Sequence, residues 1–183
     1  MPQRRVVTGH EETGEAVIVS DGPVPRSHAM VSIPGASTSL VWSTEPLDAI
    51  PADGADPTAA VTTYVPAVGG TRFIVLTLAP DAIYTSPGFD GARAAAERRE
   101  SSPGLAELFE PDNPGMHRTP TVDYCIVLEG EVWLDMDEGR LTPLNQGDIV
   151  VQNGTRHAWR NKNDQIASIA FVLVGAPTPK TSP

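Results

Sequence analysis

Turn-forming residues interrupt this chain too often for long helices: among its 183 residues stand 16 glycines and 18 prolines. Proline breaks a helix interior and glycine weakens one, so the elements between them stay short. Many short strands joined by turns meet that constraint better than a helical bundle does. The length suits one domain with a sizeable core.

The pattern of side chains agrees. Residues 4–8 and 15–20 read as two strands around a polar turn containing Gly14, and further strands are expected at 28–33 and 37–43. Residues 45–60, crowded with Pro, Gly and Asp, read as an irregular loop. Residues 71–78 are rich in branched and aromatic side chains and form a strong β segment. One helix is expected at 91–100, where Ala94, Ala95 and Ala96 stand beside arginines and glutamates, with a short turn at 104–109. Gly, Pro and Asp then break the chain at 111–115, and the whole insert from 91 to 115, lying between strands, is expected over a barrel mouth. Beyond Thr119, strands are expected at 122–128, 131–136, 148–152, 157–161 and 166–174. Val132, Leu134 and Met136 alternate with Glu131, Trp133, Asp135 and Asp137, the period of a strand with one wet face. Short strands so spaced indicate a sandwich or barrel.

Charge and cysteine content exclude some functions. A formal charge of −10 leaves no clustered Lys and Arg for nucleic acid or an anionic membrane. The one cysteine, Cys125, permits no internal disulfide and no Cys-based zinc site. The N-terminus lacks the apolar core of a signal peptide, and no stretch is long enough to span a bilayer, so a soluble cytoplasmic protein is expected.

Two segments carry the chemistry: 115–130, with His117, Thr119, Asp123 and Gly130, and 147–161, with Gly147, Gly154, His157, Trp159 and Asn161. Residues two apart on a strand share a face, so His117, Thr119, Thr121, Asp123 and Cys125 point one way. Pro120 is tolerated at a strand start or edge. Turned toward one interior, His117, Asp123 and His157 form a two-His, one-carboxylate set that suits Fe(II), Mn(II) and related ions. Asp123 stands in an otherwise apolar run, where a carboxylate is costly unless paired or metal-bound.

These segments resemble the paired motifs of the cupin superfamily over roughly residues 71–175, and look closest to small, single-domain cupins. The first family motif has a His-x-His pair, then Glu, then Gly; the second has Gly, a Pro-x-Gly turn, His and Asn. His117, Asp123 and Gly130 take the first motif's places, and Gly147, Gly154, His157 and Asn161 the second's. Thr119 replaces one histidine, Asp123 the glutamate, and Gln152-Asn153 the turn proline. The resemblance implies an all-β fold, an antiparallel double-stranded β-helix (jelly roll). An N-terminal strand extension (1–70) precedes a barrel (71–175) and a tail (176–183), with a short helical insert. It also implies a divalent ion (Fe, Mn, Ni or Zn) on His117, Asp123 and His157, a small-molecule substrate, and a homodimer that exchanges N-terminal strands.

The implied activity is that of a metal-dependent enzyme on a small, oxygen-rich organic acid or polyketide-like metabolite, narrowly a decarboxylase or other lyase. There the ion acts as a Lewis acid on adjacent substrate oxygens. A dioxygenase using the same residues, and a non-catalytic cupin that binds a small ligand, are the alternatives. Thr119, Gln152 and Arg118 are candidates to orient substrate, Trp159 to wall the pocket, and Arg118 to be either a carboxylate anchor or a solvated side chain. Arg156 is placed to shape or charge the pocket mouth. Cys125 reads as a small core residue, Tyr124 as an outward side chain, and His10 and His28 as surface residues. Trp42 and Phe73 read as core or interface.

Overall fold

The computed structural model describes residues 3–50 and 55–178. Part of the expected 45–60 loop and most of the expected tail lie outside them. The chain opens with a hairpin, β1 (Arg4–His10) and β2 (Ala16–Pro23), that pairs only with itself. Then follow β3 (Arg26–Ala29), β4 (Ser37–Thr44), β5 (Thr71–Leu78), the helix α1 (Gly91–Ser101) and β6 (Thr121–Glu129). The chain goes on through β7 (Val132–Asp135), β8 (Leu141–Leu144), β9 (Ile149–Asn153), β10 (Ala158–Arg160) and β11 (Ala167–Gly175). A six-stranded sheet in the order β3-β4-β5-β11-β6-β9 faces a three-stranded one in the order β10-β7-β8, and every pairing is antiparallel. This is the all-β jelly-roll class expected, and the large sheet reaches back to β3 and β4, within the 1–70 extension.

Cross-strand register explains the core. Leu40 stands opposite Ile74, Ile74 opposite Phe171, Phe171 opposite Cys125 and Cys125 opposite Val150, forming one inward row. Val132 and Leu144 of the small sheet close on that row, with Val127, Ile169 and Leu173 beside it. Burial of such side chains drives the two sheets together.

Three differences from the sequence pattern have physical causes. β8 is a strand that the sequence pattern does not include; it holds Pro143, which the sheet accepts because β8 is its outer strand, where a missing N–H costs little. β3 ends at Ala29 because the chain turns back, with Met30 N donating to Ala36 O at 2.9 Å, and Ile33 drops fully buried against Ala94 of α1. The wet face expected on β7 is covered: Lys162 lies 5.1 Å over the Trp133 ring, and Asp135 pairs with Arg160 at 3.0 Å.

The helix is fastened through Glu97. Its carboxylate accepts from the amides of Val31 and Ser32 at 2.7 and 2.8 Å, from the Ser32 hydroxyl, and meets His28 Nε2 at 2.9 Å. These partners, the Ser32 hydroxyl first, hold its pKa at about 2. The hairpin is tied by Arg5, which bonds Asp56 at 2.6 Å and the Val41 carbonyl at 3.1 Å and lies over Trp42. Even so the hairpin leaves Ile18 62% and Val6 46% exposed. The outer face of β6 and β9 leaves Ile149 71%, Tyr124 55% and Val151 54% exposed. No helix among the described residues is long and apolar enough to cross a membrane.

Candidate active site

Strand alternation sets the inward file as expected: His117, Thr119, Thr121, Asp123 and Cys125 are all buried, whereas Arg118 and Tyr124 are exposed. The charge of exposed Arg118 falls on Glu110. Gln152, opposite Asp123 in register, is buried, and its amide makes one long bond of 3.5 Å to Thr155 O.

The two histidines meet through the backbone. His117 N donates to His157 O and His157 N to His117 O, both at 2.9 Å, in an isolated antiparallel bridge. Their rings lie 4.5 Å apart between centroids. Each Nδ1 faces a carbonyl, His117 that of Gly115 at 3.0 Å and His157 that of Thr155 at 2.9 Å. A carbonyl can only accept, so each Nδ1 carries the hydrogen. Neither Nε2 has a hydrogen-bond partner among the described residues. Burial first, and the neighbouring His117 second, push the His157 pKa down to about 4; burial lowers that of His117 as well. Both rings are therefore neutral at pH 7, the form that binds a cation through Nε2.

Asp123 is the anomaly of this interior. It is 4% exposed, and its Oδ1 has no hydrogen-bond partner. Burial pushes its pKa up to about 6, with the Thr121 hydroxyl pulling the other way. That hydroxyl also meets the Thr119 hydroxyl at 2.7 Å. At pH 7 the group is still largely ionised, and a buried carboxylate oxygen without a partner calls for a cation. The same burial, reinforced by the charge of Asp123, lifts the Cys125 thiol to about 12, so it stays protonated and serves as a core side chain.

Two imidazole nitrogens and an orphaned carboxylate oxygen fit a divalent ion in kind. No three His, Cys, Asp or Glu side chains converge closely enough to hold an ion among the described residues. Asp123 ends one methylene short of the glutamate the motif carries, and Thr119 supplies no second imidazole.

Aromatic rings wall the pair. Trp159 stands edge-on to His157 at 5.5 Å and leans on Phe171 at 5.4 Å. Phe109, from the insert, meets His117 edge-on at 4.8 Å. No strand pattern marks Phe109, and only the tertiary fold brings it to the histidine. The motif asparagine, Asn161, is structural: fully buried, it donates to Leu78 O at 3.1 Å and Gln165 O at 2.7 Å. Gly154 has φ +59°, and a Cβ there would stand 3.2 Å from Thr119 O, so the turn keeps its glycine without the motif's proline.

No family model matches the chain. Phomopsin biosynthesis cluster protein C' of Diaporthe leptostromiformis is 50% identical over 48 residues, 26% of this chain and 25% of that protein. Oryzines biosynthesis cluster protein J of Aspergillus oryzae is 41% identical over 64 residues, 34% of this chain and 36% of that protein. The cupin-domain-containing oxidoreductase virC of Hypocrea virens is 46% identical over 46 residues, 25% of this chain and 24% of that protein. The matched stretch spans well under half the length of each of these relatives. Among solved structures, an RmlC-like cupin family protein from Methanocaldococcus jannaschii, with a double-stranded β-helix fold, aligns at a TM-score of 0.38 and 14% identity. That alignment covers 64% of this chain and 76% of the other.

Proposed function

We propose that the chain is a cupin and a metal-dependent enzyme of secondary metabolism acting on a small, oxygen-rich metabolite, a reading supported by its local likeness to cupin-domain-containing oxidoreductases. The observation that carries this reading is the pair of neutral imidazoles with bare Nε2 atoms sharing an interior with the unpartnered Asp123 Oδ1. The relatives named for biosynthesis clusters support the metabolic setting.

In this reading the Nε2 atoms of His117 and His157 would hold the ion. Asp123, which does not converge with them closely enough in this structure, would have to close on it as the third ligand. The ion would supply Lewis acidity toward substrate oxygens. The carbonyls of Gly115 and Thr155 fix the two rings so that Nε2, and not Nδ1, faces the ion. Thr119 and Gln152 offer a hydroxyl and an amide to substrate oxygens, and Trp159, Phe171 and Phe109 keep water out.

Between lyase and oxidative chemistry we favour the oxidative. Relatives bear the name oxidoreductase, and the interior offers no free cation to anchor a substrate carboxylate among the described residues. Arg118 is exposed, and buried Arg72 is taken up by Glu45 at 2.7 Å and by the carbonyls of Thr44, Thr63 and Thr71. Turnover that stops under argon supports the oxidative reading; carbon dioxide release without dioxygen supports the lyase.

Metal analysis of protein purified without chelator tests the metal reading. Iron, manganese, nickel or zinc near one ion per chain is expected, falling to about a tenth or less in His157→Ala and Asp123→Ala. Wild-type protein that holds no ion and cannot be loaded would overturn it in favour of a non-catalytic small-ligand cupin.

A homodimer is part of the proposal. The exposed apolar side chains Val6, Ile18 and Val19 of the hairpin, and the exposed strip on β6 and β9, are the surfaces a second copy would cover. Deleting residues 1–20 is expected to give a monomer or aggregate on size exclusion with light scattering. A dimer that survives the deletion rejects the hairpin as its basis.

A further inference from the structure

His117, Asp123 and His157 are 8%, 4% and 2% exposed, so little of each side chain meets solvent in this arrangement. Most of their surroundings are laddered strands, which open with the whole fold. One covering segment is built differently. Residues 108–115 belong to no strand or long helix, and close on themselves through Glu110 N to Met116 O at 2.8 Å and Met116 N to Asn113 O at 3.0 Å. On the upstream side the chain is seated, with Ser102 and Ala106 buried and Leu105 packed on the barrel core. On the downstream side Gly115, at φ +82°, joins the segment to buried Met116 and His117.

The polar contacts of this segment with the barrel run through two arginines. Glu110 takes Arg156 in a two-pronged pair, both bonds 2.6 Å. Arg160 donates to Pro114 O at 2.6 Å, with Asn113 Oδ1 at 3.4 Å. Phe109 is the segment's one aromatic contact with the site, edge-on to His117, with Arg98 5.6 Å over its ring. The two arginines flank His157 in sequence. Asp137 and Asp135 hold them from the barrel side, at 2.8 and 3.0 Å, so they stay in place if the segment leaves.

We propose that residues 108–115 form a lid over the histidine pair, hinged at Gly115 and latched by Glu110 on Arg156 and by Arg160 on the 113–114 backbone and side chain. Opening withdraws Phe109 from His117 and uncovers the pocket without unpairing a strand. The lid rests on the proposed function only in that it regulates access to the same site.

Acylation of histidines by diethyl pyrocarbonate, read residue by residue by mass spectrometry, tests it on the full-length protein as purified and after chelator treatment. Exposed His10 serves as the internal reference. In wild type, His117 and His157 are expected to react at least about tenfold more slowly than His10. Glu110→Gln and Arg160→Met are each expected to speed them about fivefold to tenfold while His10 is unchanged. Amide exchange in residues 108–115 should run ahead of exchange in β6 and β11. Unchanged histidine rates in both variants overturn the lid. So do wild-type rates that rise with urea as steeply as global unfolding, a readout that stands even if neither variant folds. Because the chelator-treated protein gives the same readout, the lid fails or stands separately from the metal: a protein that never binds an ion can still show gated acylation.

Discussion

Asp123→Asn is expected to stabilise chelator-treated protein at pH 7 by about 2–3 kcal/mol, although it removes a residue of the site. Burial raises the folded-state pKa of Asp123 from 3.8 to about 6. Between those values the folded chain keeps a proton that the unfolded chain gives up. The stability this contributes is complete below the unfolded pKa and is lost as pH rises through about 6. At about 1.4 kcal/mol per unit, the loss by pH 7 is about 3 kcal/mol. Asparagine never ionises and escapes it. His157 works in the opposite sense. Its folded pKa is depressed from 6.5 to about 4, so its contribution is present above 6.5 and is lost as pH falls through about 4. His117, lowered the same way, adds to that slope.

The Asp123 and His157 slopes cover nearly one window with opposite signs and largely offset each other. The wild type should therefore show only the shallower acid-side loss that His117 adds. Asp123→Asn should leave the histidine slope alone and become sharply acid-labile. His157→Gln should lean toward the Asp123 slope and weaken as pH rises. Urea midpoints at several pH values decide this. An Asp123→Asn protein less stable than wild type at pH 7 would reject the account of Asp123 as an unpaired buried acid.

Phe171→Ala is expected to cost about 3–5 kcal/mol. Phe171 lies between Ile74 and Cys125 on the inward row and leans on Trp159, so its removal opens a cavity between the sheets. Trp159 loses its support at the same time, and its emission should shift. Val172→Ala, one residue along and turned to the outer face, is expected to cost about 1 kcal/mol or less. Equal urea midpoints for the two variants would show that the row is not the core.

Much of this architecture was legible because burial imposes a period of two. The strand at Thr71–Leu78 was readable to its ends from branched side chains, and the file from His117 to Cys125 faces inward as alternation requires. What alternation cannot supply is which surface another element covers. β7 shows it, since Lys162 and Arg160 from the turn and strand beyond it cover a face that reads as wet. β8 holds Pro143, whose meaning depends on whether the strand is central or outermost. Phe109 and Glu110 carry no local signal, and their partners His117 and Arg156 become neighbours only after the insert folds back. Asn161, readable as a motif residue, gives no hint in sequence that it bonds the carbonyls of Leu78, at the end of β5, and of Gln165.

The bridge between His117 and His157 has a kinetic corollary. The two imidazoles owe their spacing to a reciprocal pair of main-chain bonds between segments distant in sequence. Long-range closures of this kind form late, after the chain between them has ordered. The site is then among the last parts of the molecule to assemble, too late for an ion or substrate to nucleate folding. A ligand added during refolding should slow unfolding while leaving the folding rate unchanged.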